Sequence, residues 1–318
     1  MAEFGLSGRK VWVAGHRGMA GSAIVRRLER EQCEIITAGR SELNLLRQAD
    51  VESWMADKKV DAVFLAAATV GGIMANATRP AEFLYENLTI ETNVIHAAYR
   101  TGVKKLLFMG SSCIYPRMAA QPITEDALLS GPLEPTNEWY ALAKIAGIKM
   151  CQAYRRQYGC DFVSVMPTNL FGAGDRYDAE GGHVVAAMIM KLHAAKATNS
   201  PTVEIWGSGT PKREFLCVED LADACVFVMK HYSDEQFLNL GTGTDITILE
   251  LAQTVAKIVG WNGEFTFNTS KPDGTPRKVM DVSRLRALGW TAPTKFEDGM
   301  SHAYDWYVAN IVGNKAKA

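Results

Sequence analysis

Along the first half of the chain, short runs of consecutive apolar residues alternate with longer segments in which apolar positions recur at helical spacing. The runs at 11–14, 34–37, 62–66, 106–109 and 162–165 predict strands, and the stretches 20–32, 50–58, 80–100 and 137–158 predict helices. Pro80 suits the first turn of its helix, and Gly102 and Gly159 sit where C-terminal caps belong. Strands alternating with helices predict a parallel, doubly wound sheet. After Pro167 the rhythm breaks. Residues 172–182 are loop-rich; 184–195, 219–230, 249–259 and 283–288 read as helices, 203–206 and 237–240 as strands, and 270–278 as a loop. With no repeat and no low-complexity linker, the second domain is expected to be small and packed at the carboxyl edge of the sheet, where open α/β sheets bind ligands. The expected fold is therefore α/β, a Rossmann-type doubly wound parallel sheet with a smaller interleaved C-terminal α/β domain. Residues 1–172 and 214–242 are assigned to the first domain, 173–213 and 243–318 to the second.

Composition narrows the function. The 318 residues carry 34 Lys and Arg against 35 Asp and Glu, a net charge of −1, which leaves no electrostatic footprint for nucleic acid or an anionic membrane. The longest apolar stretch, 60–75, is interrupted by Asp61, Thr69 and Gly71-Gly72 and is too short for the roughly 20 residues of a membrane helix. The N-terminus lacks the basic start and apolar core of a signal peptide, and six cysteines without a CxxC pair form no disulfide framework. A soluble protein of a reducing compartment, the cytoplasm, is expected. No Cys/His/Asp cluster has metal-ligand spacing, so no metal is expected.

Three motifs carry chemistry. Gly15-His16-Arg17-Gly18-Met19-Ala20-Gly21 follows a predicted strand and opens a helix, the context in which glycines let a backbone approach a pyrophosphate. The next strand ends Ala38-Gly39-Arg40 with no acid before Arg40, which suits a 2′-phosphate and favours NADP(H); Arg17 joins Arg40 in this expectation, and Glu42 stands close by. Tyr140 and Lys144, four apart, share one helix face, where an ammonium lowers a phenol's pKa and lets it exchange protons with a carbonyl oxygen. Gly110-Ser111-Ser112-Cys113 after the fourth strand offers a hydroxyl to the same carbonyl.

Together these pieces resemble the short-chain dehydrogenase/reductase superfamily in its extended, nucleotide-sugar branch. The longer motifs Ala66-Ala-Ala-Thr-Val-Gly-Gly-Ile73, Gly110-Ser-Ser-Cys-Ile-Tyr-Pro116, Leu133-Glu-Pro-Thr-Asn-Glu-Trp-Tyr-Ala-Leu-Ala-Lys144, Met166-Pro-Thr-Asn-Leu-Phe-Gly172, Trp206-Gly-Ser-Gly-Thr-Pro-Lys-Arg-Glu-Phe215 and Ser270-Lys-Pro-Asp-Gly-Thr-Pro-Arg-Lys278 are similar to those of the epimerase/reductases acting on GDP-4-keto-6-deoxy-D-mannose. The likeness covers nearly the whole chain. It departs at Thr69, Trp139 and Cys217, where Lys, Pro and His are expected.

The resemblance implies 3,5-epimerisation of that substrate and NADPH-dependent reduction of its C4 ketone. It assigns Ser111, Tyr140 and Lys144 to reduction, and Cys113 and His183 to epimerisation. Read alone, Cys113 is a small buried hydrophobe and His183 a loop histidine; only the resemblance gives them a role. It also implies a cofactor stretch of residues 15–21, Arg40, Ser41, Leu43, Asn44, Met109, Gly110, Ser111, Ser112, Lys144, Pro167, Thr168, Asn169, Leu170 and His183. Lys191, Trp206, Arg213 and Asp273 fall on the GDP-sugar side, making the second domain the GDP-sugar-binding one, and the helices near 80–100 and 137–158 are expected to pair in a homodimer. Other readings stay open. A UDP-sugar 4-epimerase would want an acid where Arg40 stands, and a 4,6-dehydratase would carry Thr-Asp-Glu in place of Ser111-Ser112-Cys113. A non-catalytic NADP(H) sensor would be free to lose Tyr140 or Lys144.

Overall fold

The computed structural model describes residues 3–178, 183–270 and 273–313; the remainder of the expected loops 172–182 and 270–278, and the tail from Asn314, lie outside the described residues. Strands and helices alternate first: β1 (Lys10–Ala14), α1 (Met19–Leu28), β2 (Glu34–Ile36), α2 (Gln48–Lys58), β3 (Ala62–Leu65), α3 (Ile73–Thr78), α4 (Pro80–Arg100), β4 (Lys105–Met109), α5 (Glu138–Tyr158) and β5 (Asp161–Pro167). Then follow β6 (Asn169–Phe171), α6 (Val184–Ala197), β7 (Thr202–Trp206), β8 (Lys212–Cys217), α7 (Val218–His231), β9 (Leu238–Leu240), β10 (Asp245–Thr247), α8 (Ile248–Val259), β11 (Glu264–Asn268), β12 (Arg277–Lys278), α9 (Ser283–Ala287) and α10 (Phe296–Tyr307).

The main sheet has the order β2-β1-β3-β4-β5-β9, parallel throughout. Every residue of β3 and β4 is buried, as expected of parallel strands covered on both faces. One face packs a core built on Val94, Ile95, Ile148 and Phe162, beneath α2, α4 and α5; the other packs Ile24, Leu28, Leu221 and Val228 of α1 and α7. Even Lys105 of β4 is buried, its ammonium donating to the Tyr232 carbonyl at 2.6 Å and pairing with Asp161 at 3.2 Å. The order reverses between β1 and β3, which makes their carboxyl ends the switch point where a crevice opens.

The later strands form two small sheets. β8 is flanked by β10 and β12 and also pairs with β6, while β7 pairs with β11. A third core, including Ile189, Leu192, Val255 and Met300 of α6, α8 and α10, covers this region. The loop reading of 270–278 is corrected at its end, where Arg277 and Lys278 form β12; α3, β6, β8, β10, β11 and α10 stand where the sequence pattern predicts no element. Among the described residues no helix is long and apolar enough to cross a membrane, and no group of His, Cys, Asp and Glu is placed to hold a metal ion.

A buried carboxylate ties the two regions together. Glu214 of β8 is fully buried and accepts the backbone N–H groups of Thr242 (2.6 Å) and Gly243 (2.7 Å) on one oxygen, and that of Met280 (2.9 Å) on the other. In Glu214→Gln the amide NH₂ must face one of these donors. An unsatisfied buried pair of this kind costs about 1–3 kcal/mol, so the variant should unfold at lower denaturant than the parent. An unchanged midpoint would show that the three N–H groups find other acceptors.

Candidate active site

The glycine turn leaves β1 under tight steric limits. Gly15 has φ +90, and a Cβ there would lie 2.6 Å from the Ala67 nitrogen in the segment after β3. A Cβ on Gly21 would lie 2.2 Å from the Gly15 carbonyl oxygen, so the first turn of α1 can close over the loop only with glycine. Gly18 caps α1 without a side-chain bond, and no acid stands in the first turn. The free N–H groups there suit a phosphate. His16 sits in the turn, where burial and then Arg17 pull its pKa down.

The end of β2 adds positive charge. A Cβ on Gly39 would lie 2.8 Å from an Arg17 guanidinium nitrogen, so Arg17 rests against the residue preceding Arg40, and both arginines are exposed. Glu42 does not neutralise them by a direct pair; it accepts the Trp54 indole N–H at 3.2 Å. Beside them Ser41 is exposed, Leu43 is buried in the core and Asn44 accepts the Leu46 N–H within its own turn. These residues fit a dinucleotide carrying a 2′-phosphate.

After β4, Met109 and Gly110 lead into the turn that presents the reacting groups. Gly110 has no room for a side chain, since a Cβ would lie 2.3 Å from the Met166 sulfur. Ser111 caps the short turn 112–114, accepting the Cys113 N–H at 3.3 Å, and Ser112 is buried. The Tyr140 hydroxyl is hydrogen-bonded to Ser111. Burial pushes the phenol well up, and Cys113 and Glu91 act in the same direction. The expected lowering by Lys144 is thereby corrected: its ammonium lies 2.8 Å from the Glu91 carboxylate, with both side chains buried. Cys113 receives a hydrogen bond from the Asn137 amide at 3.2 Å.

His183 is the residue before α6, its side chain 48% exposed. Its Nδ1 lies 3.4 Å from Oδ1 of buried Asp175, and that bond raises the imidazole pKa against burial. Pro167, Thr168, Asn169 and Leu170 carry the chain from β5 into β6; Thr168 and Asn169 both donate to the Glu214 carbonyl. On the far side, the Lys191 ammonium lies 5.1 Å over the ring of Trp206, which is 61% exposed. Asp273 accepts the Ser208 N–H at 2.6 Å and its hydroxyl at 2.9 Å, which holds the 273–274 loop against the turn after β7. A Cβ on Gly274 would lie 3.4 Å from Arg213, whose pKa burial pulls down. Cys217 is buried in the wall of a cavity of about 370 Å³ that also includes Arg213 and Asp220.

Residues 11–241 match the model of the NAD dependent epimerase/dehydratase family. The chain belongs to this family. A GDP-L-fucose synthase of Sinorhizobium fredii is 55% identical over 99% of this chain and 100% of its own. One of Escherichia coli is 52% identical over 96% and 98%. A solved GDP-L-fucose synthetase of Naegleria fowleri bound to NADP superposes with a TM-score of 0.89 at 27% identity, covering 97% of each chain. In this chain the Gly15–Gly21 turn with Arg17 and Arg40 forms a crevice whose shape and charge suit a phosphate-bearing dinucleotide.

Glu91, Asn137 and Asp175 went unread in the sequence. Asn137 lies within the Leu133–Lys144 motif and was available as a donor to a thiol; Glu91 and Asp175 are single acids whose partners sit 53 and 8 positions away. Asp175→Asn removes the charge that raises His183, leaving burial to act alone. The imidazole pKa, followed by NMR, should fall below that of the parent. No fall would mean that Asp175 does not face His183 in solution.

Proposed function

We propose that this chain is a GDP-L-fucose synthase, which epimerises GDP-4-keto-6-deoxy-D-mannose at C3 and C5 and then reduces the C4 ketone. What carries the reading is a thiol, Cys113, two residues from Ser111 and close enough to Tyr140 to raise its phenol. A simple ketone reductase needs only the hydroxyl pair and the lysine. A thiol beside them supplies a base for the protons α to the ketone, while Ser111 and Tyr140 hold the enolate oxygen. The Asn137 amide donates to its sulfur and orients it. His183, oriented by Asp175, returns the proton from the other face.

NADPH, when bound, supplies the hydride. As it reaches C4, the proton on Tyr140 passes to the carbonyl oxygen, and Ser111 shares that oxygen. Lys191, Trp206 and Arg213 bind the GDP moiety: the indole offers a stacking face and the guanidinium a fork for the diphosphate. Residues 1–172 with 214–242 form the NADP-binding domain, and 173–213 with 243–318 the GDP-sugar domain. A cytoplasmic homodimer belongs to the same proposal, supported by Tyr85 on α4 and Trp139, Leu142 and Tyr158 on α5, all exposed. Sedimentation equilibrium should give twice the chain mass; the mass of one chain would remove the dimer.

Two variants divide the chemistry. Cys113→Ser should stop solvent deuterium entering C3 and C5 while leaving NADPH bound, because a hydroxyl barely ionises. Tyr140→Phe should cut NADPH oxidation by about 10²–10⁴-fold, the usual worth of a general acid. Exchange at C3 and C5 should continue more slowly, with the epimerised keto sugar left unreduced. NMR of the sugar in D₂O beside the NADPH absorbance trace reads both. Normal reduction by Tyr140→Phe would overturn the proton donor, and normal exchange by Cys113→Ser would reduce the thiol to packing.

A further inference from the structure

The residue that opens α5 is of the type that caps a helix, yet it does not cap this one. Asn137 stands at the N-cap position, where an asparagine oxygen ordinarily accepts an N–H of the first turn. Here the side chain makes no such bond. Its amide reaches the turn after β4 instead and donates to the Cys113 sulfur at 3.2 Å. The amide oxygen, Oδ1, is buried and accepts from no donor among the described residues. A forgone cap and an unpaired buried acceptor each cost stability. The backbone does not require this arrangement: the Asn137 N–H already reaches the Glu134 carbonyl at 3.2 Å, and its own carbonyl accepts the Ala141 N–H at 3.0 Å. A local rule broken with no structural return points to function.

The place of Asn137 on the helix shows what is gained. Asn137, Tyr140 and Lys144 follow one another at i, i+3 and i+7, along one face of α5. Tyr140 is hydrogen-bonded to Ser111, Ser111 accepts the Cys113 N–H at 3.3 Å, and the Cys113 side chain returns to α5 through Asn137. Ser111 therefore fixes the backbone of Cys113. Its thiol would still turn about the Cα–Cβ bond, and the hydrogen bond that stops it comes from Asn137. We infer that Asn137 is a positioning residue for epimerisation alone, giving up the cap of α5 to fix the rotamer from which the Cys113 sulfur takes the α-protons of the ketone. This rests on Cys113 being the base. Tyr140, one turn further along, serves the reduction. The start of one helix thus carries both half-reactions, and they separate at residue 137.

The test is Asn137→Ser. Serine caps a helix as well as asparagine does but is too short to reach the sulfur. The variant should therefore unfold at a denaturant concentration no lower than the parent's. Entry of solvent deuterium at C3 and C5, read by NMR of the keto sugar, should fall about 10²-fold, the cost of a reacting group displaced by an ångström or so. Oxidation of GDP-L-fucose by NADP⁺ is the hydride step run backwards and needs no epimerisation, so it should continue near the parent rate. Should Asn137→Ser fail to fold, Asn137→Asp keeps the shape and can cap but has no N–H for the sulfur, and its exchange should fall in the same way. Exchange at the parent rate in the folded variant would overturn the inference. So would loss of hydride transfer along with exchange, or a lowered unfolding midpoint in Asn137→Ser, which are what a structural asparagine predicts. If Cys113→Ser exchanges normally, the functional reading fails; if it does not and Asn137→Ser exchanges normally, only the role of Asn137 fails.

Discussion

A parallel sheet buried on both faces can present its ligands only at one edge, and everything else in this protein follows from that constraint. The order β2-β1-β3-β4-β5-β9 buries β3 and β4 completely, so helices occupy both faces and leave the carboxyl ends of the strands as the open border. Several of the candidate groups then arrive from a turn or helix at that border. The glycine turn comes from β1, Arg40 from β2, the Ser111–Cys113 turn from β4, and Tyr140 and Lys144 from the helix feeding β5. The reversal between β1 and β3 opens the crevice, and Gly15 lets the two backbones approach closely enough to floor it.

The smaller region is held to this edge by polar ties as well as by apolar packing, Leu285 and Trp290 joining the core beneath α1 and α7. Glu214 gathers three backbone N–H groups from segments 242–243 and 280, while its own carbonyl receives Thr168 and Asn169 as the chain leaves β5. Asn239 of β9 repeats the device, donating to the carbonyls of Ile123 and Asp281 and accepting from Tyr115. A buried polar group is costly unless every partner is in place, so such ties fix the two regions in one relative position.

Charge is arranged by contrast across the crevice. At the cofactor end Arg17 and Arg40 are exposed, where a phosphate can reach them. At the reacting end the one cation, Lys144, is buried with a carboxylate beside it, and the phenol is desolvated. His183 stands between these extremes, half exposed and paired with the buried Asp175.

By itself the sequence determined the elements whose cause is local. Apolar runs gave the central strands to within a residue or two, and Pro80 and Gly159 bounded α4 and α5 because their effects act on adjacent φ angles. The turn at Gly15–Gly21 and the Tyr140/Lys144 pair were legible for the same reason: each is a spacing within one turn or helix. Tertiary structure decided what depends on distant partners. β8 could not be read from Lys212–Cys217 because its pairing comes from β6, β10 and β12. α10 was hidden by Gly299, a helix breaker in sequence, whose Cβ would lie only 3.2 Å from the Phe171 ring. The same limit governs the site. Spacing along α5 shows that Lys144 faces the way Tyr140 does, but not that it pairs with Glu91, fifty-three residues earlier and on another helix. Whether two charges pair is a matter of distance and dielectric, and only the folded chain sets both.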